Sequence, residues 1–157
     1  MKHLKIYDQF NFDDFSEEDL FGEDYGSLTK FEDLVGVTII EIIVDDLKQN
    51  MIFKLKNGDE YILYHQQNCC EQVEIDDING DLDDLLNTPI LKASEDTNRN
   101  EPRSPSDESF TWTFYNLSTI KGYVTIRWYG SSNGWYSEKV DFAKVERDNN
   151  NNRIIPG

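Results

Sequence analysis

From Val37 onward the apolar residues alternate or cluster as they do in strands, whereas the first 36 positions scatter phenylalanines among carboxylates. VTIIEIIVDD is a near-continuous β-branched run, the pattern of a central strand. QNMIFKLKNGDEYILYH predicts a hairpin turning on Asn57-Gly58, the preferred type I′ pair. Counting back from that turn pairs Lys56 with Asp59, Lys54 with Tyr61, and Phe53 with Ile62. Met51, Phe53, Leu55, Ile62 and Tyr64 then share the buried face. His65 falls opposite, with Tyr61 and Leu63.

In the next segment Ile75, Ile78, Leu82, Leu85 and Leu86 are spaced like one side of a short helix or turn, with carboxylates left to water. PILKASE resumes as a strand, and residues 96–109 read as a long, flexible Pro/Ser loop. FTWTFY sets Phe110, Trp112 and Phe114 on one face with threonines between them. YVTIRWYG alternates Val124, Ile126 and Trp128 against Tyr123, Thr125, Arg127 and Tyr129. With GSSNG as a turn and WYSEKVDFAKVE as the return, these make a three-stranded antiparallel meander.

Upstream, Ser16 before Glu17, Glu18 and Asp19 looks like an N-cap, with Gly22 closing a short helix. Ser27 starts a second, with Leu28, Phe31, Leu34 and Val35 on one face and Gly36 after its end. This lead either docks on the main domain or serves as a recognition arm. The pattern predicts an α+β fold, mostly antiparallel sheet of about seven or eight strands with two or three short acidic helices. Residues 1–36 form the lead, 37–146 the β-rich core domain, and 147–157 a disordered Asn-rich tail.

Charge changes the picture most. The net charge is -16, and residues 71–84 alone hold seven acids and no base. Residues 1–34 hold ten acids against three lysines, so two short segments carry -14 of the total. Such a chain disfavours direct contact with nucleic acid or an anionic membrane, since both need clustered Lys and Arg. No apolar run is long enough to cross a bilayer, and the start MKHLKIYDQF has no signal-peptide core, which leads us to expect a cytoplasmic protein.

Candidate chemistry centres on His65, Cys69, Cys70 and Glu71, the right residue types for a transition metal. Zinc wants about four convergent ligands, and adjacent cysteines on an extended chain point to opposite sides, so no metal site is expected. The alternative is structural, with the cysteines ending a strand, one buried and one half-exposed, and His65 bonded to backbone. DDINGDLDD departs from a calcium loop, because Leu82 and Thr88 stand where glycine and a bidentate glutamate are needed. Nucleophilic catalysis lacks an activating histidine other than His65, and carboxylates around Cys69 and Cys70 work against a thiolate. We therefore expect neither an enzyme nor a cofactor. Tyr123, Arg127, Tyr129, Trp135 and Tyr136 form either an exposed aromatic-arginine surface or part of the packing.

The stretches YHQQNCCEQVEIDDINGDLDDLLNTPIL, ESFTWTFYNLSTIKGYVTIRWYGSSNGWYSEKVDF and VGVTIIEI together resemble an uncharacterised family of small bacterial and phage proteins, classed as a domain of unknown function. The features that carry the resemblance are H-x3-C-C-E, the acid-Leu repeat and T-I-K-G-Y-V-T-I-R-W-Y-G, within residues 34–146. It implies a phage or prophage source and transfers no catalytic role. The resulting expectation is a non-enzymatic phage protein that inhibits a host protein with a basic surface, in its most specific form by nucleic-acid mimicry against a defence nuclease. The expected contact residues are Glu71, Glu74, Asp76, Asp77, Asp81, Asp83 and Asp84, with Arg127, Tyr129 and Trp135 as a second surface. A virion or accessory structural protein, or a small metal protein or hydrolase using His65 and Cys69/Cys70, is the alternative.

Overall fold

Two β-sheets face each other across one apolar layer. The computed structural model describes residues 4–6 and 29–155. In chain order the strands are β1 (Leu4–Ile6), β2 (Ile39–Val44), β3 (Met51–Leu55), β4 (Glu60–Tyr64), β5 (Gln72–Asn79), β6 (Lys92–Asn98), β7 (Ser109–Thr119), β8 (Gly122–Ser132), β9 (Asp141–Arg147) and β10 (Arg153–Ile154). One sheet has the order β1-β2-β3-β4-β9-β10 and the other β5-β8-β7-β6. All pairings are antiparallel except β1 with β2.

The inter-sheet layer joins Ile42, Met51, Phe53 and Leu63 of the first sheet to Val73, Tyr115, Leu117, Ile126 and Trp128 of the second. A second cluster lies on the other face of the six-stranded sheet, where Ile43, Ile52, Ile62, Tyr64, Ala143 and Val145 gather with Ile155. β2 and β3 are thus buried on both sides, which is why their sequences read as continuous apolar runs. Ile39, Ile42, Ile52 and Ile62 are each no more than 1% exposed.

The expected helices are absent among the described residues, which hold only two 3-10 turns, Phe31–Leu34 and Leu82–Leu85. The helix from Ser16 to Gly22 falls outside the described residues. In place of the one begun at Ser27, a single turn buries Phe31 and Leu34, leaves Val35 exposed, and ends at Gly36 with φ +88°. Phe31 sets its ring 4.6 Å from Tyr115 and 5.3 Å from Phe142, closing one end of the sandwich.

The acidic segment is strand β5 followed by the short turn Leu82–Leu85, with no α-helix. Its apolar spacing mimics a helix because β5 carries an irregularity between Ile75 and Asp77. Val73 and Ile75 point inward, the bulged Asp76 shifts the phase, and Ile78 points inward next.

The β3–β4 hairpin differs from its expected register by one residue. Phe53 pairs with Tyr61 and Lys54 with Glu60, because the turn holds three residues, Lys56-Asn57-Gly58, instead of two. The Leu55 amide donates to the Asp59 carbonyl and the Gly58 amide to the Leu55 carbonyl, with Gly58 at φ +96°. A one-residue slip exchanges faces. Leu63 and Tyr61 therefore join Met51 and Phe53 in the inter-sheet layer, while Ile62 and Tyr64 face the other way.

The Asn-rich segment turns and returns as β10, where the sequence pattern predicts disorder. Asp148 accepts hydrogen bonds from the amides of Asn150 and Asn152, and Glu60 takes the guanidinium groups of both Arg147 and Arg153.

Candidate functional site

The connection from β4 to β5 is built around Glu71, whose side chain points inward. Its Oε1 accepts from the Asn68 amide at 2.7 Å and from Nε2 of His65 at 2.9 Å, and its Oε2 from the Cys69 amide at 3.1 Å. Burial pushes this carboxyl up, but the Asn68 amide, the His65 ring, and the amides of Glu71 and Cys69 outweigh it and hold it lowered to about 2. Nδ1 of His65 lies 2.7 Å from the Lys139 carbonyl, an oxygen that only accepts. The two contacts set the His65 ring between the Glu71 carboxylate and the Lys139 carbonyl. Gln67 Nε2 adds donations to the carbonyls of Cys69 and Glu71. Glu71 thus leaves the set of surface carboxylates and becomes the anchor of its loop.

Cys69 and Cys70 are joined to each other by a disulfide, and both are exposed. The expected pair of thiols, one buried and one half-exposed, is replaced by a closed bond at the crest of the loop. Among the described residues no group of three or more His, Cys, Asp or Glu is arranged to hold a metal.

Two further acids are spent within the fold. Asp76 accepts from Nε and Nη2 of Arg127 at 2.8 and 2.6 Å, and Arg103 reaches both Asp76 and Glu74. Arg103 belongs to the Pro/Ser segment, which lies across the outer face of the four-stranded sheet. The Arg103 amide donates to the Tyr129 hydroxyl, that hydroxyl donates to Asp107, and Trp112 Nε1 donates to the Glu101 carbonyl. Tyr129 is consequently 1% exposed, its ring 4.4 Å from Trp112 and under the Arg103 guanidinium. Phe110, Trp112 and Phe114 of FTWTFY do share one face, and it is the outer one. Thr111, Thr113 and Tyr115 point inward, while Phe110, Trp112 and Phe114 lie outside beneath or beside this segment.

The remaining acids gather at one end of the sheet. Asp77 and Asp81 are exposed, Asp83 and Asp84 half-exposed, and no ion pair engages Asp77, Asp81 or Asp84 among the described residues. Local geometry holds this ledge in place. Asp81 caps the 3-10 turn by accepting from the Asp83 amide at 2.9 Å. The Thr119 hydroxyl donates to the Asp84 carbonyl and Lys121 Nζ to the Leu86 carbonyl, tying the turn to the β7–β8 connection. Gly80, at φ +107°, lies so close to β8 that an added Cβ would sit 2.5 Å from the Tyr123 carbonyl oxygen.

Trp135, on the loop after β8, is 88% exposed and Tyr123 of β8 is 57% exposed, so these two members of the aromatic set are open to solvent. Beside Trp135 a polar cleft of about 830 Å³ is lined by Thr97, Arg99, Thr111, Thr113, Glu138 and Lys139, among others. Periodicity had not marked Glu138. It is buried, with Thr111 and Ser132 hydroxyls donating to its two oxygens. No helix among the described residues is long and apolar enough to cross a membrane.

A family model described as Domain of unknown function (DUF7448) matches residues 24–142. No curated protein and no solved structure matches the chain.

Proposed function

The chain belongs to the family described as Domain of unknown function (DUF7448), and from that premise we propose that it is a non-enzymatic binding protein that inhibits a host protein by presenting the Asp77–Asp84 ledge to a basic surface. The observation that carries the reading is the division of labour among the seven acids of residues 71–84. Glu71, Glu74 and Asp76 are consumed by internal partners, while Asp77 and Asp81 are exposed and Asp84 half-exposed with no ion pair among the described residues, at the end of β5 and on a turn pinned by Thr119 and Lys121. Fixed carboxylates with no base among them in the sequence offer a cationic groove what an anionic polymer would, at lower ordering cost than a mobile tail.

The most specific form is a phage protein in the host cytoplasm whose ledge occupies the nucleic-acid groove of a defence nuclease. Trp135 is not part of the same contact. The 3-10 turn of the ledge lies beside the Gly122 end of β8 and Trp135 beyond its Ser132 end, with Asp77 opposite Arg127 midway along the strand.

The test is retention of host proteins on the immobilised full chain, in low salt and in about 1 M salt. Double-stranded DNA serves as competitor, and the comparison is a variant with Asp77, Asp81, Asp83 and Asp84 changed to lysine. A partner released by salt and by DNA, and not held by the variant, is the expected result. A partner held equally by both proteins in both salts would sink the proposal.

A further inference from the structure

We propose that Cys69–Cys70 is a thiol–disulfide exchange site, passing between disulfide and vicinal dithiol by reaction with an external dithiol while the fold stays intact. Three observations carry it, none of which depends on the ledge. Both cysteines are exposed at the crest of the β4–β5 loop, so an attacking thiolate reaches either sulfur without opening the core. The bond closes over a single peptide unit, and a cross-link stabilises less the shorter the loop it closes, so this one, joining neighbours in a single loop, does not tie β4 to β5. The loop has its own anchor in the Glu71 carboxylate, which holds the Asn68 and Cys69 amides and His65 whether or not the sulfurs are joined. A disulfide that supports no structure, placed where a reagent meets it and carried on an independently fixed loop, is arranged for exchange.

A thiolate of the external dithiol attacks one sulfur of the pair and forms a mixed disulfide. The electron pair of the broken S–S bond leaves on the other cysteine sulfur, which takes up a proton. The second thiol of the external molecule then displaces the first cysteine, which leaves as a thiolate and is protonated in turn. Two electrons and two protons pass to the protein, and the external molecule is left as its own disulfide. The product is a pair of adjacent thiols, a soft chelate suited to a trivalent arsenical.

The site also touches the rest of the molecule. Cys69 is bonded through its amide to Glu71, Glu71 to His65, and His65 to the Lys139 carbonyl, within the segment that lines the polar cleft.

The experiment uses the full chain, air-oxidised, in native buffer. Thiols are titrated with Ellman's reagent before and after incubation with dithiothreitol, and phenylarsine oxide binding is followed by mass. No reactive thiol before reduction and two after it are expected, with a shift in Tm below about 3 °C. One phenylarsine oxide should bind per reduced chain and none per oxidised chain, and Cys70→Ser should abolish that binding. Thiols that stay unpaired in air and in oxidised glutathione would overturn the proposal. So would a disulfide that dithiothreitol opens only in denaturant.

Discussion

Nε2 of His65 lies 2.9 Å from Oε1 of Glu71, and the two side chains are 4% and 0% exposed. In a hydrogen-bonded pair so enclosed, removing one member leaves the other buried without its partner. The Glu71 carboxyl is lowered from 4.5 to about 2, so between those values the unfolded chain binds a proton that the folded chain refuses. Its contribution to stability is complete above the higher value and is lost as pH falls toward the lower. Thermal melts over this acid range should show Tm falling in wild type. Glu71→Gln should be destabilised by about 3–5 kcal/mol at neutral pH and show a shallower fall with acid. Parallel curves for the two proteins would contradict the pair's role.

The two tryptophans of the meander should respond differently. Trp128 is 0% exposed in the inter-sheet layer, and Trp128→Ala should cost about 3–5 kcal/mol in denaturant melts. Trp112 lies on the outer face against Tyr129, and Trp112→Ala should cost only about 1–2 kcal/mol. Equal losses would place both rings in one core.

Tyr129→Phe removes the hydroxyl that accepts from the Arg103 amide and donates to Asp107. The predicted result is faster tryptic cleavage at Arg99 and Arg103, with a global loss of about 1–2 kcal/mol. An unchanged digestion pattern would show that the segment is held by other contacts.

Glu60→Gln should loosen the C-terminal strand. Glu60 binds Arg147 at 3.0 Å and Arg153 at 2.7 Å, and burial lowers the pKa of Arg153, whose charge Glu60 answers. Hydrogen exchange at Ile154 and Ile155 should rise in the variant while that of β3 stays protected. Protection retained at Ile155 would mean the apolar contacts of that residue suffice.

Much of the sheet architecture is legible in the sequence, and the misreadings share one physical origin. VTIIEIIVDD reads as a central strand, and Val124, Ile126 and Trp128 as its facing core, because both follow from burial alone. Where a single residue changes phase, periodicity misleads. The bulge at Asp76 turns a two-residue repeat into an apparent three-residue one, and the extra turn residue beside Asn57-Gly58 moves every side chain of β4 to the other face. The outward aromatics of β7 were hidden for a different reason. A tryptophan covered by a remote polar segment has the same alternation as one covered by a sheet, and Arg103 finds Tyr129 at a separation of 26 residues. The inward fate of Glu71 was equally hidden, since its donors come from a loop with no repeating pattern.

The lateral strands have a consequence for how this molecule meets others. The six-stranded sheet finishes in pieces of three and two residues, β1 and β10. The four-stranded sheet finishes in β5, which is bulged and bears Glu74, Asp76 and Asp77, and in β6, which bears exposed Glu95 and Asp96. A foreign strand seeking to extend either sheet would find too short a template, a bulged edge whose Ile75 amide already donates to the Lys48 carbonyl, or the exposed acids of β6. Among the described residues, recruitment of peptides by strand addition is thereby discouraged at the lateral strands. Recognition is left to loops and turns, and a protein-rich, crowded solution of this chain should remain dispersed.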